Sequence, residues 1–169
     1  MAKKVKPVHC ASAYDTALKF LTPKARTVRE VELKLDEGNY SEGEIMQTIE
    51  RLTDAGLVND EAYAHDFVAS RLSTKPVSKY RLREQLRGHF VPDDIIEAEL
   101  ASLPGDTEQN NAVEVAAKYL RQFANVDDET EKLRRVYTRL KTRGYAHETI
   151  MSALRTAAQN GGGEETEEP

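Results

Sequence analysis

Tryptophan is absent from this chain, cysteine occurs once, and histidine only four times. The lone Cys10 has no internal disulfide partner, and scattered histidines without a second cysteine give no zinc-ligand spacing. No metal and no cofactor is expected. No apolar run approaches the length of about 20 residues needed to cross a bilayer. The opening Met-Ala-Lys-Lys-Val-Lys-Pro has basic charge but no apolar segment behind it, so a cytoplasmic protein without membrane contact is expected. Also missing are a phosphate-cradling glycine loop, a nucleophile elbow and paired cysteines. His9, His65, His89 and His147 fall in different local settings and read as surface or inter-helix residues. His65 and Asp66 are helix neighbours that point in different directions, which argues against a coupled acid/base pair. The chain therefore reads as non-enzymatic.

The 169 residues suffice for one ordinary domain or a short array of small units, and 39% hydrophobic against 31% charged content suits modest buried faces. The net charge of −5 counts against nucleic acid as the main partner, but its distribution is uneven. Negative charge gathers between Glu30 and Asp66 and in the tail from Gly161 to Pro169, whereas two later segments are basic.

The stretch from Leu52 to Val68 closes one helix and opens another. Gly56 is suited to the left-handed residue of a Schellman ending, with Leu52 and Leu57 at the positions whose apolar contact accompanies it. Asn59 is placed to cap the next helix, Asp60 and Glu61 oppose its dipole, and Val58 with Tyr63 form a hydrophobic staple. Tyr63, Ala64, Phe67, Val68 and Leu72 then line one helical face.

The same grammar recurs along the chain. Ser12 caps a helix with Ala17, Leu18, Phe20 and Leu21 that ends near Pro23. Thr27 to Glu30 and Ser41 to Glu44 are capping boxes, the first opening a helix stopped at Gly38, the second preceded by Tyr40 and followed by Ile45, Ile49 and Leu52. Leu82, Leu86, Gly88 and Phe90 echo Leu35, Gly38 and Tyr40, with Pro92 expected at the first helical position. Gly144, Tyr145 and Ile150 give a third version after a helix from Leu133 to Arg143. Three aromatic-to-isoleucine offsets, Tyr40/Ile45, Phe90/Ile95 and Tyr145/Ile150, indicate an all-α chain of three tandem three-helix repeats. The expected repeats span 12–58, 59–106 and 107–158, between a flexible N-terminus at 1–11 and a disordered acidic tail at 159–169. One such unit has too little interior to stand alone, so neighbours should pack, the first helix of each bridging to its predecessor in an elongated array open to curvature.

The basic segments are the candidate binding surfaces. Lys75, Lys79, Arg81, Arg83 and Arg87 crowd the second helix of the middle repeat, with Lys79, Arg83 and Arg87 on one face. Lys132, Arg134, Arg135, Arg139, Lys141 and Arg143 repeat the theme, with Arg135, Arg139 and Arg143 sharing a face. Such rows suit phosphate oxygens or a carboxylate-lined groove; the plainer reading is a solvated helix surface. Glu30 and Glu44 are explained by capping and are not counted as binding residues.

Laid out in this way, residues 13 to 157 resemble the RecX family, the bacterial regulators of the RecA recombinase. Leu-Thr-Pro-Lys-Ala-Arg-Thr-Val-Arg-Glu-Val-Glu-Leu-Lys-Leu from Leu21 to Leu35 is similar to the family's opening repeat. Gly56-Leu-Val-Asn-Asp-Glu-Ala-Tyr-Ala with Phe67-Val-Ala-Ser-Arg71 resembles its most recognisable junction, and Leu140-Lys-Thr-Arg-Gly-Tyr145 its last repeat. Two departures stand out: Thr74 to Ser78 lacks the glycine usual before the basic helix, and Lys24 stands where arginine is common. The resemblance implies a monomeric modulator lying in the groove of the RecA filament on DNA, where it hinders ATP hydrolysis, strand exchange and filament extension. With that role, the partner-binding residues expected from the two basic rows are Lys79, Arg81, Arg83, Arg87, Arg134, Arg135, Arg139 and Arg143, meeting acidic groove residues or, weakly, DNA phosphate. The alternatives are a stand-alone helix-turn-helix-like DNA-binding protein and a helical-repeat scaffold for another protein.

Overall fold

A computed structural model describes residues 11–161; His9, Cys10 and the residues after Gly161 lie outside the described residues. Nine helices and no strand occur among the described residues: α1 (Ala13–Leu21), α2 (Val28–Glu37), α3 (Glu42–Asp54), α4 (Asp60–Thr74), α5 (Lys79–Gly88), α6 (Asp93–Ser102), α7 (Thr107–Gln122), α8 (Glu129–Thr142) and α9 (His147–Gly161). The helices follow one another as tandem three-helix repeats. Residues 159 to 161, read from sequence as the start of a disordered tail, are the last turn of α9.

Local chemistry sets the helix starts. Ser12 accepts the Asp15 N–H at 3.0 Å, and both expected capping boxes, Thr27 with Glu30 and Ser41 with Glu44, are closed. Asn59 Oδ1 accepts the Ala62 N–H at 2.9 Å. Pro92 stands one position earlier than expected: its carbonyl accepts the Ile96 N–H at 3.0 Å, so it is the N-cap of α6 and not its first residue.

One ending serves four helices. Asn39, Gly56, Phe90 and Gly144 have φ of 58°, 66°, 60° and 86°. The amide of each donates three residues back, to Asp36, Thr53, Arg87 and Lys141, at 2.8 to 3.0 Å. The amide after each donates five residues back, from Tyr40, Leu57, Val91 and Tyr145 to Leu35, Leu52, Leu86 and Leu140, at 2.9 to 3.3 Å. These paired bonds are the Schellman motif.

This register corrects three expectations. The left-handed residue after α2 is Asn39, because Gly38 keeps a helical φ of −74°. In the middle repeat the buried pair is Val91 and Ile96, 4% and 0% exposed, not Phe90 and Ile95, and Phe90 is 51% exposed. The left-handed residue fixes the register: Gly56 and Gly144 are that residue, whereas Gly38 precedes it by one position and Gly88 by two. Finally, Leu57 faces solvent, and Val58 beside it is the buried residue.

The described chain forms two compact bodies. One comprises the residues through Phe67 with Leu86–Ile96, the other Val68–Gln85 with the residues from Glu97 onward. In the first, α1, α2 and α3 enclose Ala17, Val31, Leu35, Tyr40, Leu52 and Val58. The Tyr40 hydroxyl lies 2.7 Å from Thr16 Oγ1 and donates to the Ala11 carbonyl at 3.0 Å, fastening the start of α1. In the second, α7, α8 and α9 enclose Ala116, Val136, Leu140, Tyr145, Ile150 and Ala153.

The left-handed positions are testable. A Cβ on Gly56 meets open space, so Gly56→Ala should cost only the backbone preference, about 1 kcal/mol. At Gly144 a Cβ would also press on the Tyr80 ring and come within 3.1 Å of Ser78 Oγ. Gly144→Ala should therefore lower the urea midpoint further than Gly56→Ala; equal midpoints would show that the Tyr80 ring yields without cost.

Candidate functional site

In the first body the functional geometry starts at the N-terminus of α2. Thr27 is 0% exposed, and its hydroxyl accepts the Glu30 N–H at 3.2 Å while donating to the His89 carbonyl at 2.7 Å. The next amide, Val28 N–H, donates to Asp60 Oδ1 at 2.9 Å, so the first residue of α4 caps α2 from a distance. Glu30 Oε2 accepts the Thr27 N–H at 3.4 Å and Glu30 Oε1 lies 3.0 Å from His89 Nδ1. The His89 ring sits 5.7 Å and 5.4 Å from the ring centres of Tyr63 and Phe67. Burial pushes the Asp60 carboxyl up, and the nearby charges of Glu30 and Glu32 add to this against the Val28 bond.

The second body repeats this wiring at α5. Ser78 is 1% exposed, and its hydroxyl accepts the Arg81 N–H at 3.2 Å and donates to the Arg143 carbonyl at 2.6 Å. Lys79 N–H donates to Glu108 Oε1 at 3.3 Å, as Val28 does to Asp60. Asn111 Nδ2 adds a bond to the Val77 carbonyl at 3.0 Å. From sequence Asp60 is legible only as a residue that opposes its own helix dipole, and Glu108 carries no local signal; what the two share is a place at or next to the start of the helix that opens the next repeat.

Beside the second junction lies a cleft of about 320 Å³ lined by Lys75, Arg81, Arg139 and Arg143, with no acidic residue in its wall. Two buried polar atoms in that wall, Gln85 Oε1 and the Tyr145 hydroxyl, have no hydrogen-bond partner. Tyr145 is 4% exposed, and burial pushes its phenol well above the ordinary value, with the Glu108 charge contributing. Arg143 Nη2 donates to the Tyr119 hydroxyl at 2.7 Å, a bond that draws the Tyr119 phenol down. The cleft wall brings four cationic side chains together, a setting that suits an oxyanion.

The sequence-predicted residues separate into two groups. Arg83 makes a two-pronged pair with Glu97, Arg87 pairs with Asp93 at 2.8 Å, and Arg134 and Arg135 share Glu131. These two arginines hold the Glu131 carboxyl at about 2. Solvent screens exposed pairs of this kind, so they contribute little to stability. Lys79, Arg83 and Arg87 share a helix, but Arg87 belongs to the first body and the other two to the second. Arg81, Arg139 and Arg143 are brought together with Lys75 at the cleft. Gln85 and Tyr145 were not singled out as binding residues, because Gln85 is polar without charge and Tyr145 reads as core. No cluster of metal-ligating side chains occurs among the described residues.

Family models identify residues 13–52 as "RecX, first three-helix domain" and residues 59–100 as "RecX, second three-helix domain". The "Regulatory protein RecX" of Chlorobium phaeobacteroides (strain BS1) is 30% identical over 142 residues, covering 84% of this chain and 91% of the relative. The chain belongs to the RecX family. The protein of the same name from Mycobacterium sp. (strain KMS) is 32% identical over 146 residues, which is 84% of this chain and 79% of that one. The crystal structure of RecX from Lactobacillus salivarius superposes with a TM-score of 0.80 at 25% identity, over 87% of this chain and 95% of that chain. A second crystal structure, of a regulatory protein RecX, shares the fold with a TM-score of 0.75 at 23% identity. The chain is thus a member of a family of regulatory proteins, and no helix among its described residues is long and apolar enough to cross a membrane.

The raised Asp60 carboxyl fixes the sign of a pH effect. Folding favours its protonated form, so this contribution to stability is full below the ordinary aspartate value and is lost as pH rises through the higher folded one. Asp60→Asn keeps an oxygen for the Val28 N–H and should remove that decline in urea melts between acid and neutral pH. Asp60→Ala should instead cost about 1 to 3 kcal/mol by stranding the amide. A wild-type decline matched by Asp60→Asn would assign the effect to another group.

Proposed function

We propose that this chain is a non-enzymatic modulator of the RecA recombinase. It lies as a monomer along the groove of the RecA filament on DNA, in the cytoplasm, and mainly inhibits ATP hydrolysis, strand exchange and filament extension during recombination and DNA repair. Membership of a family of regulatory proteins carries the reading. The basic rows on α5 and α8 support it, and one wiring scheme recurs at the starts of α2 and α5. Repeats bounded at 12–58, 59–106 and 107–158 would present such rows to successive protomers of a polymer. Weak contacts linked in this way reach an avidity that none has alone.

The Arg83/Arg87 and Arg135/Arg139 faces are the proposed filament contacts. The pairs with Glu97, Asp93 and Glu131 mean that Arg83, Arg87 and Arg135 must exchange an internal carboxylate for one on the partner. Such an exchange favours fast, reversible, salt-sensitive engagement over tight static binding. Arg139, exposed and with no ion pair among the described residues, needs no exchange.

The test is RecA ATPase on single-stranded DNA with increasing protein. The double variant Arg135→Glu with Arg139→Glu should raise the half-inhibiting concentration about tenfold, equivalent to about 1.4 kcal/mol of lost binding. Unchanged inhibition with helicity intact removes α8 from the interface, and wild-type protein that leaves the ATPase untouched overturns the reading.

A further inference from the structure

The repeats align on their buried residues: Leu35 corresponds to Leu86 and Leu140, and Ile45 to Ile96 and Ile150. Thr27 falls opposite Ser78 in the same register. Equivalent positions then face each other across the gap between the second and third helix of each repeat. In the middle repeat Arg83 and Arg87 of α5 reach across to Glu97 and Asp93 of α6, each pair within one of the two bodies. In the last repeat the Tyr137 ring of α8 meets the His147 ring of α9 edge-on, and the Tyr137 hydroxyl lies 2.9 Å from His147 Nδ1. Side chains of the chain itself close both gaps.

The first repeat lacks such a closure. Where the middle repeat has Arg83, Arg87 and Asp93 it has Glu32, Asp36 and Glu42, and Met46 stands in the place of Glu97. A groove of about 410 Å³ remains between α2 and α3, with Leu33, Ile45, Met46 and Ile49 as its apolar lining. Met46 is 72% exposed, and Ile45 and Ile49 are half-buried, whereas their counterparts Ile150 and Leu154 are 0% and 8% exposed. Glu32 pairs with Arg29 of its own helix at 2.9 Å, while Asp36 and Glu42 are exposed and have no ion pair among the described residues. An apolar surface left open inside a polar rim marks a site of interaction. Here the rim carries carboxylates on both helices, and the cations that the middle repeat supplies are missing.

We propose that this groove seats a basic amphipathic helix of another protein. Its apolar side chains, one turn apart, pack on Leu33, Ile45, Met46 and Ile49, and its lysines or arginines pair with Asp36 and Glu42 as Arg87 and Arg83 pair with acids in the middle repeat. Methionine is the side chain best able to adapt to such anchors. The carboxylate rim repels nucleic acid. A second copy of this chain offers cations without a row of apolar anchors, because Leu82, Leu86, Val136 and Leu140 of its basic helices are buried. None of the arginines assigned to the filament lines this groove, so the two surfaces stand or fall separately.

The full chain is titrated against a fluorescein-labelled synthetic helix of leucine and lysine, about four turns long with its leucines on one face, and followed by anisotropy. Met46→Asp makes the groove more negative, so attraction by charge alone would strengthen, whereas loss of an apolar anchor should weaken binding about tenfold. Asp36→Lys with Glu42→Lys should also weaken it about tenfold and flatten its salt dependence. Arg139→Gln, outside the groove, should stay within about twofold of wild type. A peptide of the same composition with its leucines spread around the helix should bind about tenfold more weakly than the amphipathic one. Helical circular dichroism checks that each variant is folded, and sedimentation equilibrium of the chain without peptide reads self-association. The proposal is overturned if wild type does not bind, if Met46→Asp or the charge-reversed variant binds as tightly as wild type, or if the spread peptide binds equally well. A dimer of the peptide-free chain that Met46→Asp dissociates would also overturn it, by assigning the groove to a second copy.

Discussion

A single buried hydroxyl decides how each of two helices is placed. At the start of α2 and again at the start of α5, a side-chain hydroxyl accepts a bond from an orphan amide of its own helix and donates one to a carbonyl at the end of another helix. The accepting carbonyls belong to His89 and Arg143, each one residue before a left-handed turn. Both groups are left over from regular helix hydrogen bonding, so the contact satisfies two sets of orphans at once. It is also short-ranged and directional, which apolar packing is not. The acid that accepts the next amide, Asp60 or Glu108, adds a second fixed point, and two fixed points define the placement of one helix end on another.

This dependence explains why the left-handed residue matters more than the identity of the residue filling it. The carbonyl of residue 89 or 143 is turned outward by the paired bonds that close the helix, and the turn needs a positive φ immediately after it. Glycine at 144 meets that need without strain, whereas Phe90 meets it against its own preference, at a cost of roughly 1 to 2 kcal/mol. The cost is tolerated because the following residue, Val91, is carried into the interior and the His89 carbonyl reaches Thr27. Tertiary contacts have overridden local propensity there.

Much of this was legible in order of locality. The capping boxes at Thr27 and Ser41, the cap at Asn59 and the turn at Gly56 involve residues close in sequence, and each stands as expected. Aligning the aromatic residues by type sets Phe90 beside Tyr40 and Tyr145, and nothing in the sequence marks it as left-handed, so the middle repeat lies one residue out of that alignment. The basic rows were legible as composition, but their chemistry was not. Pairing of Arg134 and Arg135 with Glu131 follows from helical spacing, whereas that of Arg83 with Glu97 spans 14 residues and two helices. Arg81 was recognised as basic, yet its difference from its neighbours appears only when Glu30 is seen to occupy the equivalent place.

That equivalence bears on what holds each junction. An arginine at the third helical position opposes the dipole that Glu30 complements, and the second cleft adds further positive charge around it. The first junction has its carboxylate built in, with Glu30 closing the capping box and meeting the His89 ring. The second relies on Ser78, on the Glu108 carboxylate that accepts the Lys79 amide, and on the Asn111 bond to the Val77 carbonyl. One wiring scheme therefore tolerates opposite charges at its third helical position, because the buried hydroxyl and the distant acid carry the placement in both copies.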